Sequence, residues 1–209
     1  MRTRVKICGL TTVEQAGEAA ALGVDAIGLV FAPESPRYVE PARALAIAEA
    51  LPPFVTAVGL FMNAEVAMVD KVLEQVPLDL LQFHGDEAPD YCRAFGRPYL
   101  KAVPMGGGVD PLAYAAEFGD AKGFLLDGHA AGEPGGSGMA FDWTAMPRTL
   151  AKPVILAGGL TPDNVAEAIR RARPYGVDVS SGVESAKGIK DAAKMAAFMR
   201  GVTEGDSAD

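Results

Sequence analysis

A parallel, eight-stranded (β/α)8 barrel is the fold class this sequence predicts, on three observations. Short apolar or β-branched runs alternate with amphipathic segments along the chain, the runs number eight, and 209 residues hold all eight units with little room for anything else. Strict alternation of this kind calls for a parallel sheet with helices outside it. So many units in so short a chain favour closure into a TIM barrel over an open doubly wound sheet, since about 200 residues is the lower end of that barrel's usual range.

The elements follow in order. The run Val5–Cys8 passes through Gly9-Leu10-Thr11 into the helical pattern Thr12–Leu22, with Thr11 placed to cap it. Ala26–Phe31 is the second strand and Pro41–Ala50 its helix. Thr56–Met62 precedes Glu65–Gln75, Leu78–Phe83 precedes Pro89–Phe95, and Tyr99–Val103 precedes Pro111–Phe118. Gly123–Leu126 is the sixth strand and Pro153–Ala157 the seventh. Thr161-Pro162 then pairs an N-cap with proline at the first helical position, opening Pro162–Arg173. Val177–Ser180 closes the barrel and Ile189–Arg200 is the last helix. One domain therefore spans residues 1–200, and the small, polar stretch Gly201–Asp209 is expected to fray.

Composition excludes several function classes. A formal net charge of −8 argues against a nucleic-acid partner, because phosphate-backbone binding rests on clustered Lys and Arg. No run approaches the ~20 apolar residues of a membrane span, and the apolar run after Met1-Arg2-Thr3-Arg4 is too short for a signal peptide. A cytoplasmic protein is expected. Cys8 and Cys92 form neither a zinc spacing nor a disulfide framework, and His84 and His129 are too few for a metal centre.

Cys8 ends the first strand, at the rim where barrels of this class bind their ligands. Buried packing is the competing reading, because cysteine is among the most buried residue types. Asp127 ends the sixth strand at the same rim if the registers align, so a thiol and a carboxyl would face one another. Strand alternation puts Arg4, Lys6 and Cys8 on one face and Val5 and Ile7 on the other, apolar face. Lys6 then points into the barrel, where a buried ammonium needs a partner, and the inward position on the neighbouring last strand is Asp178. A Lys6–Asp178 ion pair below the site is expected. His84 shares a face with Leu80 and Gln82 and reaches the rim, either as a site residue or as a hydrogen-bonded structural histidine. Cys92 reads as packing and His129 as a loop residue.

The loops after the last two strands, Gly158-Gly159 and Ser180-Ser181-Gly182-Val183, expose backbone amides that suit an anion. In barrels of this kind the phosphate site is frequently built from these two loops. Gly135-Gly136-Ser137-Gly138 reads as a mobile lid or a bland linker. Arg37 lies in the proline-stiffened loop Pro33–Tyr38, where a fixed guanidinium suits a carboxylate.

Taken together, Lys6–Thr11, Ser35-Pro36-Arg37, Gln82–Gly85, Leu125–Asp127, Gly135–Gly138, Phe141-Asp142-Trp143, Leu156–Leu160 and Asp178–Glu184 resemble phosphoribosylanthranilate isomerase of tryptophan biosynthesis in order and spacing. The resemblance covers nearly the whole chain. It implies a cofactor-free Amadori rearrangement of N-(5-phosphoribosyl)anthranilate, with Asp127 as general acid, Cys8 as general base and Arg37 at the anthranilate end. It also implies phosphate on the amides of Gly158, Gly159, Ser181, Gly182 and Val183, with Ser180 and His84 among the substrate contacts. The expected partner is a small phosphosugar, and the protein a monomer or homodimer. The related histidine-pathway isomerase carries a carboxylate where this chain has Cys8, and a metal-dependent epimerase would need more histidines. A non-catalytic phosphosugar-binding barrel would keep the glycine loops without needing Cys8 and Asp127 together.

Overall fold

The computed structural model describes residues 2–106, 108–130, 143, 146–147 and 150–207, apart from the side chains of 129 and 130. The glycine loop Gly135–Gly138, with Phe141 and Asp142, lies outside the described residues, as does the His129 side chain.

Eight parallel strands close into a barrel in sequence order: β1 (Arg4–Cys8), β2 (Ala26–Val30), β3 (Thr56–Phe61), β4 (Leu80–Phe83), β5 (Tyr99–Gly106), β6 (Gly123–Ala130), β7 (Val154–Leu156) and β8 (Gly176–Val179). Helices α1 (Val13–Ala21), α2 (Pro41–Glu49), α3 (Val66–Gln75), α4 (Pro89–Arg93), α5 (Pro111–Glu117), α6 (Val165–Ala172) and α7 (Ala192–Asp206) pack outside. The predicted barrel is the observed one. No helix among the described residues is long and apolar enough to cross a membrane.

Alternation along the strands separates two layers. Val5, Ile7, Ile27, Leu29, Leu81, Phe83, Phe124, Leu126, Val177 and Val179 point outward into the main core beneath the helices. Ala102, Leu125 and Ala157, with Ile155, form a small inner cluster. On the same inward faces, nearer the carboxyl ends, stand Lys6, Cys8, Gln82, His84, Asp127 and Asp178. Small and apolar side chains thus fill the middle of the barrel and polar ones crown it.

Several element boundaries differ from the sequence reading. Thr12, not Thr11, caps α1, accepting from the Gln15 amide at 3.3 Å. Thr161-Pro162 opens a turn rather than the helix: α6 begins at Val165, and Asn164 braces the turn by accepting from the Thr161 amide and donating to the Gly159 carbonyl. Ile189 belongs to an antiparallel hairpin, β9 (Glu184–Ala186) with β10 (Ile189–Lys190), and Asp191 caps α7 through the Lys194 amide. The hairpin turns at Gly188, whose φ of 78° and whose approach to the Pro36 carbonyl leave no room for a side chain.

The expected frayed tail is also corrected. Helix α7 runs through Asp206, and Gly201, Val202 and Gly205 are buried. A Cβ at Gly201 would lie 2.6 Å from Val165, and one at Gly205 would lie 3.0 Å from Ile169. The small residues that read as having little to bury are what let α7 approach α6. Asp206 then accepts from the backbone amide (2.8 Å) and the hydroxyl (2.7 Å) of Thr3, tying the end of the chain to its start.

Candidate active site

A cavity of about 720 Å³ opens at the carboxyl ends of the strands, and its lining includes Cys8, Arg37, His84, Asp127, Asp178 and Ser180. A second cavity of about 390 Å³ lies at the opposite end, lined by residues such as Arg4, Asp25, Phe54 and Tyr175. The upper one gathers the Cys8 thiol, the His84 imidazole and the Asp127 and Asp178 carboxyls, at the end where barrels of this class do chemistry.

Cys8 ends β1 at 5% exposure. Its strand pairs with β2 so that Cys8 lies opposite Gly28. A Cβ at Gly28 would stand 2.7 Å from the Cys8 sulfur and 3.1 Å from the Lys6 ammonium, so the missing side chain makes room for both. The Ser180 hydroxyl donates to the Cys8 carbonyl at 3.0 Å, joining the two strands that flank the barrel's closure. Burial pushes the thiol's pKa up, while the Lys6 and Lys190 ammonium groups pull against it and Asp178 adds to the rise.

The expected ion pair is present: Lys6 Nζ lies 3.0 Å from Asp178 Oδ1, with both groups buried. Burial pulls the Lys6 pKa down, but Asp178 and Cys8 together overcome it and raise the pKa, so the ammonium stays charged below the site.

Asp127 is likewise 5% exposed, and its Oδ2 lies 3.4 Å from His84 Nε2. The other His84 ring nitrogen is 3.0 Å from the Gln82 amide, so Gln82 on β4, His84 just after it and Asp127 on β6 form one chain of contacts. The loop after His84 is fixed by Glu87, which accepts from the amides of Asn63 (2.8 Å) and Gly85 (2.9 Å) and pairs with buried Lys101 at 2.9 Å.

Arg37 is held more firmly than a loop arginine needs to be. Gly9, at φ 78°, lets the stem of Arg37 lie across it; a Cβ there would meet the Arg37 Cδ at 2.6 Å. The guanidinium grips Glu184 through Nε and a terminal nitrogen, and Lys190 reaches the same carboxylate at 2.7 Å. Burial would raise the Glu184 pKa, but these two cations overcome it and hold it at about 2. Glu184 and Lys190 are the polar partners that reading the strand pattern missed. Both lie on the hairpin after the barrel closes, and the signal that could have found Glu184 is that a rigid, half-buried guanidinium needs a carboxylate.

At the glycine loops, Gly158 and Gly159 have φ of 77° and 65°. A Cβ at Gly182 would fall 1.9 Å from the Leu160 carbonyl oxygen, so the loops after β7 and β8 are pressed together. Ser180 lines the upper cavity; Gly158, Gly159, Ser181, Gly182 and Val183 do not.

The chain is similar to known proteins over nearly its whole length. Residues 5–201 match the sequence family described as N-(5'phosphoribosyl)anthranilate (PRA) isomerase. The N-(5'-phosphoribosyl)anthranilate isomerase of Nitrosococcus oceani is 58% identical over 202 residues, covering 97% of this chain and 98% of the relative. The crystal structure of phosphoribosyl anthranilate isomerase from Thermotoga maritima is 40% identical and superposes with a TM-score of 0.87, covering 96% of this chain and 98% of that one. A phosphoribosyl anthranilate isomerase crystallised with reduced 1-(o-carboxyphenylamino)-1-deoxyribulose 5-phosphate is 38% identical, with a TM-score of 0.83 and the same two coverages.

Proposed function

This chain belongs to the N-(5'-phosphoribosyl)anthranilate isomerase family, an enzyme family of tryptophan biosynthesis, and from that premise we propose that it rearranges N-(5-phosphoribosyl)anthranilate with Cys8 as base and Asp127 as acid. The observation that carries the reading is that a buried thiol and a buried carboxyl, on strands β1 and β6, line one cavity with a guanidinium anchored at its edge.

The reaction needs two proton transfers on opposite parts of one sugar. Asp127 gives its proton to the furanose ring oxygen as the C1–O bond breaks, and the anthranilate nitrogen lone pair closes a C=N bond to C1. Cys8, as thiolate, takes the proton from C2, the C–H electrons form the C1–C2 double bond, and the C=N π pair returns to nitrogen, giving an enolamine. Loss of the enol proton and protonation at C1 then give the 1-amino-1-deoxyribulose 5-phosphate. Atoms and electrons balance within the substrate, so no cofactor or metal is required. Each positioned acid or base contributes typically about 10²–10⁴-fold.

The remaining groups orient the substrate. His84 braces the Asp127 carboxyl. Arg37, held on Glu184, presents its free edge to the anthranilate carboxylate, and a bidentate guanidinium discriminates such a planar anion well. The phosphate lies on the backbone amides of Gly158, Gly159, Ser181, Gly182 and Val183, with Ser180 between that end and the thiol. The partner is thus a small phosphosugar, without nucleic acid or membrane, and the location cytoplasmic. Every residue named comes from one chain, so monomer and homodimer both accommodate the reading, and light scattering distinguishes them.

Turnover tests the proposal. Wild-type protein should abolish the fluorescence of N-(5-phosphoribosyl)anthranilate, and Asp127→Asn should slow this by about 10²-fold or more. Retained phosphosugar binding with no turnover by wild type would instead leave a binding barrel.

A further inference from the structure

We propose that Lys6 is a positioning residue for the reaction: its ammonium, anchored on Asp178 and given room by Gly28, stabilises the thiolate of Cys8. This rests on the reading of Cys8 as base and adds the group that makes a buried thiol usable as one.

Three geometric facts support it. Lys6 and Cys8 share the inward face of β1, so the lysine stands directly beneath the cysteine. The space above the Gly28 Cα is bordered by both the Cys8 sulfur and the Lys6 nitrogen, at distances that a single methyl group would close. The Lys6 ammonium is fixed from the other side by Asp178 at 3.0 Å and so cannot swing away to solvent. A buried thiol is otherwise poorly suited to the task, because desolvation disfavours its charged form.

The other charged groups near the thiol do not replace Lys6. Lys190 on β10 also favours the thiolate, but less than Lys6 does, and its nitrogen holds Glu184 at 2.7 Å and Ser180. Arg37, from the loop after β2, is turned onto Glu184 through Nε and a terminal nitrogen. Asp178 on β8 opposes thiolate formation. Asp127 on β6 and His84 at the end of β4 contact each other at 3.4 Å. Lys6 is the cation whose chain position, on the same strand and two residues earlier, assigns it to Cys8.

The test reads the thiol directly. Carbamidomethylation of Cys8 by iodoacetamide forms a thioether and releases iodide, and its rate follows the thiolate fraction. It is measured against pH on the Cys8 peptide by mass spectrometry, which separates it from Cys92. Lys6→Met should move the midpoint up by about one pH unit or more, as expected for loss of a nearby opposite charge. The acid limb of kcat/KM should move with it. Lys6→Met leaves Asp178 buried without its cation, so Lys6→Met/Asp178→Asn, which replaces both charges by neutral groups, is measured alongside, with circular dichroism to report folding. A smaller upward shift is expected, because losing Asp178 also removes a charge that opposes the thiolate, while Lys6 acts on the thiol more strongly than Asp178 does. A folded variant with the wild-type alkylation midpoint would overturn the inference. Failure of the parent reading looks different: Cys8→Ser would keep its turnover, whatever the alkylation midpoint does.

Discussion

Arg37 and Glu184 are joined by two parallel hydrogen bonds, Nε to Oε1 at 2.7 Å and a terminal guanidinium nitrogen to Oε2 at 3.0 Å. The pair locks a loop after β2 to the hairpin after β8, across the strand that carries Cys8. Lysine cannot reproduce that fork. Arg37→Lys is therefore expected to raise KM for phosphoribosylanthranilate roughly 10–100-fold, the range of a lost charge-assisted hydrogen bond, with a smaller change in kcat. Steady-state kinetics checks this, and an unchanged KM would remove Arg37 from substrate binding.

Glu184 predicts a pH dependence of stability. Its pKa in the folded protein is about 2 against an ordinary 4.5, so the folded state holds the ionised form more tightly than the unfolded chain does. The stabilisation is fully present above pH 4.5 and is lost as pH falls from there toward 2. Urea unfolding across that window should show wild type losing stability more steeply than Glu184→Gln. Parallel curves would contradict the assignment.

Gly182 is where the two glycine loops touch. An added methyl group cannot coexist with the Leu160 carbonyl at 1.9 Å, so Gly182→Ala must push the loops apart. If phosphate sits on their amides, competitive inhibition by inorganic phosphate should weaken roughly tenfold or more, the scale of a lost hydrogen bond to a charged group. Unaltered phosphate inhibition in the folded variant would place the phosphate elsewhere.

How much of this was legible in the sequence depended on where each residue lies. The barrel and the Lys6–Asp178 pair follow from period-two alternation on strands whose neighbours are fixed by closure, so sequence pattern reaches them. The inward placing of Gln82 and His84 follows in the same way. Glu184 and Lys190 were not reachable by that logic, because they lie on a hairpin outside the β/α repeat, and Glu184 meets Arg37 from 147 residues away. The end of the chain misled for another reason. Gly201 and Gly205 look uninformative one at a time, yet their value is the close helix contact they permit, which appears only when α6 is beside them.

Asp206 makes that last point measurable. Its carboxylate receives two hydrogen bonds from Thr3, joining the last helix to the first strand's approach. Asp206→Ala should cost about 1–3 kcal/mol of stability without changing kcat, since the contact lies far from the upper cavity. Urea denaturation and the turnover assay together check this; an unchanged unfolding midpoint would mean that the tail is not tied down.

The central claim is that the Cys8 thiolate removes the ribose C2 proton, and single-turnover kinetics of Cys8→Ser tests it most directly. With enzyme in excess over phosphoribosylanthranilate, the variant should bind substrate with nearly the wild-type Kd yet convert it about 10²–10⁴ times more slowly. Conversion by Cys8→Ser at the wild-type rate would contradict the account and return the thiol to the barrel core as packing.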